Sequence, residues 1–400
     1  MTKSRSQHPP RPPVVLRLRR EAVYAALMVV LLVTLAELGL RLAHARKEAR
    51  RGARPYGIHS ETHDGVAYGE DDGPIALAND PHLVYRPRGP HADAVVTLNR
   101  SGFRGPERPR AKPPATQRFV VLGGSTAFGM NTSGDAAPFT ALLEQQLAPA
   151  AAARGRALEG WNCGVIGYDS TQELALLATD LVDVAPDVVL LFDGWNDFRG
   201  SSMVADPREA LLHPKFTQND RYLARRTAPF LEWLRGFAVV EKLDEAVAAL
   251  AARAGPPRDH GDYFDHSAVA LPRYERNLRA LIRLARAYGA VPIVVTQPEL
   301  FQRANPPAPE LAMRAKREEE GYGDLARAIY PRFVAIGAAL AAAEAAPYLD
   351  ATRLFDGCDD VVFTDFVHLN DRGHQLVAEH LAPLLERALV EAAAGARTQR

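Results

Sequence analysis

The sequence predicts an α/β protein: a five-stranded parallel sheet wrapped by helices, preceded by a single transmembrane helix. Three observations carry this. From Arg118 onward, short apolar runs of strand length alternate with longer stretches of helical period, the pattern of successive βαβ units. Those short runs contain no polar break, as befits strands buried on both faces. Near the amino terminus, Ala22 to Leu40 (AVYAALMVVLLVTLAELGL) holds Glu37 as its only charge over the ~20 residues that a spanning helix needs.

The 400 residues balance 48 Lys and Arg against 48 Asp and Glu, but unevenly along the chain. Residues 1–54 carry 12 basic against 3 acidic residues, leaving 36 against 45 for the rest. The main domain is thus mildly acidic, which argues against nucleic acid as a partner on charge grounds. Residues 1–20 read as a short basic tail and 21–43 as the membrane anchor. The apolar run is long for the core of a signal peptide, so a removed signal peptide fits less well. Basic residues tie across the two flanks, and the dense Arg17–Arg20 cluster favours an inside amino terminus. The expected location is the inner membrane, single-pass, with the large domain periplasmic.

Residues 44–117 read as a stem with β-like pieces at 82–85 and 94–98, then the turn Asn99-Arg-Ser-Gly-Phe-Arg104 and the linker 109–114. The catalytic domain is expected over 118–395. Phe119 to Leu122 is its first strand, and a helix begins near Ala136. Ala157 to Val165 is the second strand, followed by a helix over 171–182 that Pro186 ends. Asp187 to Phe192 is the third strand. Residues 198–270 are an insertion with an amphipathic stretch at 231–252; Trp233, Phe237 and Tyr263 make it either an apolar lid or extra helical packing. A helix over 274–288 leads to the fourth strand, Val291 to Gln297. Residues 300–319 read as loop, 324–345 as an alanine-rich helix, 348–355 as the fifth strand, and a last helix runs to about Ala393.

Ligands of parallel sheets bind outside the carboxyl ends of the strands, so the loops there carry the candidate chemistry. Phe119-Val-Val-Leu-Gly-Gly-Ser-Thr-Ala-Phe-Gly129 places Ser125 after a glycine turn, where a nucleophile stands exposed. A phosphate loop would need Gly-Lys-Ser/Thr where Gly129-Met-Asn stands, and the dinucleotide fingerprint is absent. Taken alone, Gly-Gly-Ser also fits a plain turn. Its company decides. Asp365 and His368, three apart, face the same way if they share a helical turn. His368 can then take the serine proton while Asp365 orients its ring. Backbone amides near Ser125 and Gly167, with the side-chain amide of Asn196, can point at a developing oxyanion. Asp193 and Asp197 read as turn former and helix cap. His374 and His380 read as packing or surface residues. The remaining histidines show no metal spacing.

These blocks resemble those of the SGNH hydrolases, also called the GDSL-like lipase/acylhydrolase family: Ser125 in Gly-Gly-Ser-Thr, Gly167 in Asn-Cys-Gly-Val-Ile-Gly, Asn196 in Gly-Trp-Asn-Asp and His368 in Asp-Phe-Val-His. The first block has Gly124 where the family name has aspartate, as in a membrane-anchored bacterial branch that the Asn-x-x-Gly-Phe-Arg turn also resembles. The resemblance covers about residues 118–390. It implies a three-layer α/β/α flavodoxin-like fold and ester hydrolysis with no metal and no cofactor. In that strand order Cys163 and Cys358 lie far apart and are expected as free thiols. An α/β-hydrolase elbow fits less well, because Ala127 stands where its second glycine belongs.

The function expected is a membrane-anchored serine esterase cleaving O-acyl esters of envelope carbohydrates or lipids. The alternatives are an O-acyltransferase of envelope polysaccharide using the same three residues, and a non-catalytic envelope scaffold. The expected partners are the acyl-ester substrate and the membrane.

Overall fold

The computed structural model describes residues 20–51, 75, 77–80, 82–202, 265–318 and 322–398. The lid-or-packing question at 198–270, with Trp233, Phe237 and Tyr263, falls mostly outside the described residues.

Helix α1, Arg20–Arg51, belongs to the first of two compact units. Its apolar side chains face outward: Tyr24, Leu27, Val30 and Leu32 are 59–64% exposed. Glu37 is paired within the helix to Arg41 at 2.6 Å.

The second unit begins with two small antiparallel pairs, β1 (Leu77–Asp80) with β2 (Val84–Pro87), and β3 (His91–Ala92) with β4 (Thr97–Leu98). The Asn99–Arg104 turn follows. Asn99 Oδ1 accepts the amides of Ser101 and Phe103 at 3.0 and 3.1 Å. Arg104 then bridges to Asn162 at the sheet edge.

The parallel sheet consists of β5 (Thr116–Gly123), β6 (Ala157–Asn162), β7 (Val188–Asp193), β8 (Val291–Thr296) and β9 (Tyr348–Asp350), in the order β6-β5-β7-β8-β9. All of β5 and β7 is buried, which is why their sequences show no alternation. The chain runs from β5 to one side and then crosses to the other, so the switch point lies at the carboxyl end of β5.

Among the described residues, eight α-helices follow α1 along the chain. The four-residue α2 (Ser125–Phe128) follows β5 directly, and α3 is Phe139–Ala153. Next come α4 (Ser170–Leu176), continued by a π turn at Leu177–Leu181, and α5 (Trp195–Ser202). The last four are α6 (Ser267–Ala287), α7 (Ala308–Glu318), α8 (Tyr322–Ala343) and α9 (Asp371–Thr398). α3 and α9 pack together on the sheet, while α4, α5, α6 and α8 form the other layer. Among the described residues, α8 is the one helix that passes a test of length and apolarity for a membrane span. It buries Ile329, Tyr330, Phe333 and Leu340 in the core, so its apolarity serves the layer.

Two expectations change. Residues 300–319 contain α7 rather than loop throughout, and the fifth strand ends at Asp350, where the Asp350 carboxylate accepts the Thr352 amide and starts a 3₁₀ turn. Cys163 and Cys358 are free thiols, the first just past edge strand β6 and the second beyond the opposite edge strand β9.

Candidate active site

Ser125 opens α2, so its amide has no acceptor within the helix. Its Oγ lies 2.7 Å from His368 Nε2, and His368 Nδ1 lies 2.6 Å from Asp365 Oδ2. With Nδ1 donating to the carboxylate, Nε2 is the acceptor for the serine proton. The His368 side chain is 12% exposed and that of Asp365 28%, so both are partly buried.

Asp365 and His368 do not share a helical turn, contrary to the sequence expectation. Asp365 Oδ1 accepts the amides of Val367 and His368, both at 2.8 Å. Thr364 N–H donates to the His368 carbonyl at 2.8 Å, closing the loop under a Phe363–Leu369 bridge. One carboxylate thus folds the turn with one oxygen and holds the imidazole with the other. Burial alone pushes the Asp365 carboxyl up, but its pairing with His368 and these hydrogen bonds bring it down to about 2.

Gly167 has φ +77°, in a turn closed by the Tyr168 amide donating to the Val165 carbonyl at 3.0 Å. That left-handed position favours glycine. Asn196 Nδ2 donates to the Tyr168 carbonyl at 2.6 Å, and the amide has a second N–H to offer. Asn196 also explains the first-block glycine. A Cβ on Gly124 would lie 2.2 Å from Asn196 Nδ2.

Asp197 lies inside α5 rather than capping it. It is fully buried and accepts Ser170 N–H at 3.0 Å and Ser170 Oγ–H at 2.6 Å, tying α5 to the start of α4. Burial and the Asp169 charge push its carboxyl up to about 6, against the opposing pull of Arg273 and Ser170. Asp193 does form the expected turn, accepting Gly194 N–H at 2.8 Å. Burial and the Asp197 charge raise its carboxyl well above the usual range. The burial of both was not legible, because Asp-Gly-Trp-Asn-Asp reads as a polar surface turn.

Two further clamps escaped sequence reasoning. Arg104 donates to the carbonyls of Phe128 and Gly129 at 3.2 and 2.7 Å, fixing the end of α2. Arg303 pairs with Glu310, both fully buried, and donates to the Cys358 and Asp360 carbonyls. Glu310 Oε1 meanwhile accepts the amides of Val362 and Phe363 at 2.7 and 2.9 Å. Together they grip the strap leading to Asp365. His374 is packed, stacked on Phe139, and burial lowers it to about 3; His380 is exposed. Among the described residues, no three His, Cys, Asp or Glu side chains are grouped to hold a metal.

The profile of the GDSL-like Lipase/Acylhydrolase family matches residues 121–376. Among solved structures, the chain is similar to TesA at 17% identity, covering 68% of this chain and 99% of that one, TM-score 0.39. It is similar to the acetyl xylan esterase AlAXEase at 16% identity, covering 66% and 96%, TM-score 0.36. For the acetylxylan esterase Axe2 from Geobacillus stearothermophilus the values are 16% identity, 68% and 94% coverage, and TM-score 0.37. No curated protein matches.

Proposed function

The chain belongs to the GDSL-like lipase/acylhydrolase family and is an ester-bond hydrolase; from that premise we propose that it is a membrane-anchored serine esterase working through Ser125, His368 and Asp365. The observation that carries the proposal is the unbroken relay Asp365–His368–Ser125, with contacts of 2.6 and 2.7 Å.

In this reading Ser125 Oγ attacks the ester carbonyl carbon while its proton passes to His368 Nε2. The carbonyl oxygen becomes an oxyanion, taken by the amides of Ser125 and Gly167 and by Asn196 Nδ2. Collapse breaks the bond to the alcohol oxygen, which leaves with the proton from His368. Water then attacks the acyl-serine, His368 taking and returning a proton as before, and the free acid departs. Asp365 stays ionised, orienting His368 and steadying its imidazolium form.

The membrane half of the proposal rests on the outward-facing apolar side chains of α1 and on the length of the apolar run. Oxygen-linked acyl groups on envelope carbohydrates or lipids are the substrate class proposed for an anchored, extracytoplasmic site. Turnover of a chromogenic ester in the absence of any sugar acceptor tests the chemistry. Wild-type protein is expected to release free acid, and Ser125→Ala to lose on the order of 10³-fold or more in kcat. Full activity in Ser125→Ala refutes it. Alkaline phosphatase fused after Arg400 tests the topology. It is expected to be active in intact cells, and an inactive, normally expressed fusion reverses the orientation.

A further inference from the structure

The turn that carries Gly167 is held by a residue that precedes the catalytic sheet. Tyr85, in β2, donates its hydroxyl to the Ile166 carbonyl at 2.7 Å. Its ring meets that of Tyr168 edge-on, with centroids 5.4 Å apart, and the Tyr168 hydroxyl donates back to the Tyr85 carbonyl. Gln172 Nε2 adds a neighbouring tie to the Leu83 carbonyl at 2.7 Å.

The Ile166 carbonyl and the Gly167 N–H belong to one peptide unit. That unit is trans, since the cis bond among the described residues is Gly89–Pro90. In a trans unit the two groups point in opposite directions within one plane. A donor fixed on the carbonyl therefore fixes the bearing of the N–H. It also polarises the amide, which strengthens the N–H as a donor.

We propose that Tyr85 is a positioning residue for the oxyanion site, its hydroxyl aiming and polarising the Gly167 N–H. The inference rests on the reading of Gly167 as an oxyanion donor in the serine esterase above. An oxyanion donor acts where negative charge develops, so its misalignment lowers kcat and leaves substrate binding nearly alone. The β1–β2 segment then completes the catalytic unit as well as leading into it.

Tyr85→Phe keeps the ring and its packing on Tyr168 and removes only the hydroxyl. Kinetics with a chromogenic ester would be normalised to Ser125 sites titrated with a fluorophosphonate, so that only folded, reactive sites count. The expected result is a fall in kcat on the order of tenfold with KM changed by less than about twofold. A trifluoromethyl ketone, which forms an oxyanion on adding to Ser125, is expected to bind more weakly by the same factor as kcat/KM. Gln172→Leu cuts the adjacent tie and leaves the Ile166 carbonyl bonded; it is expected to retain kcat. Wild-type kcat in Tyr85→Phe, or an equal loss in Gln172→Leu, overturns the proposal. Ser125→Ala separates the two claims. Full activity there overturns the esterase reading, whereas an inactive Ser125→Ala beside an unaltered Tyr85→Phe overturns only the role of Tyr85.

Discussion

At the scale of single residues, the site depends on side chains that each satisfy two demands. Asp365 folds its own turn and holds His368, and Asn196 is braced on the Tyr168 carbonyl while its second N–H remains to be offered. Gly124 belongs to this level. With a Cβ there only 2.2 Å from Asn196 Nδ2, Gly124→Ala must push the Asn196 amide aside. The expected outcome is a fall in kcat of ~10-fold or more with KM little changed, part of what loss of an oxyanion donor costs. Steady-state kinetics check it, and an unchanged kcat contradicts the crowding argument. Ser125, Gly167, Asn196, Asp365 and His368 were all legible as candidates, because the first three lie in loops just beyond apolar strands and the last two are three apart. How Asp365 reaches His368 was not legible. Spacing by three suggests a helix, but an aspartate can instead bond the amides that follow it, and local sequence does not decide between these.

At the scale of elements, the strap carrying Asp365 and His368 is anchored by the buried Arg303–Glu310 pair. Removing one partner leaves an uncompensated buried charge, which typically costs about 3–5 kcal/mol. Glu310→Ala also strips the acceptor from the amides of Val362 and Phe363. Urea denaturation is expected to show a loss of at least ~3 kcal/mol, and a loss below ~1 kcal/mol would show that the strap has another anchor. Helix α7, which supplies Glu310, escaped the sequence reading. Pro306-Pro-Ala-Pro309 looks like a loop, yet prolines suit a helix start because the first-turn amides need no intrahelical partner. Its apolar residues are few and Leu311 is exposed, so no apolar run marks the helix in the sequence. The sheet strands were far easier to find, since β5 and β7 are buried on both faces and leave continuous apolar runs.

At the scale of the whole molecule, the fold carries a pH dependence through Glu299, fully buried in the loop after β8. Burial pushes its carboxyl up to about 8, although hydrogen bonds from Phe301 and Gln302 pull the other way. From the ordinary value of 4.5 up to about 8, the folded chain holds a proton that the unfolded chain lacks. Its contribution to stability is therefore fully present below the unfolded value and is lost as pH rises through that window. Glu299→Gln removes the titration. The variant is expected to match wild type near pH 4.5 and to exceed it by on the order of a few kcal/mol at pH 8. Thermal unfolding across that range checks this, and a pH-independent difference contradicts it. The alternation of strands and helices was legible along the chain. Long-range contacts such as those of Tyr85, Arg104 and Asp197 were not, because their partners lie tens of residues away and have no local periodicity.

Whether Ser125 is the nucleophile is read out by a fluorophosphonate probe. The folded protein would be treated with the probe, digested and mapped by mass spectrometry, with His368→Ala alongside. The expected result is a single phosphonylated residue, Ser125, with labelling slowed on the order of 10³-fold in His368→Ala. Active protein that hydrolyses esters while Ser125 stays unlabelled, or carries the label on another residue, would contradict it.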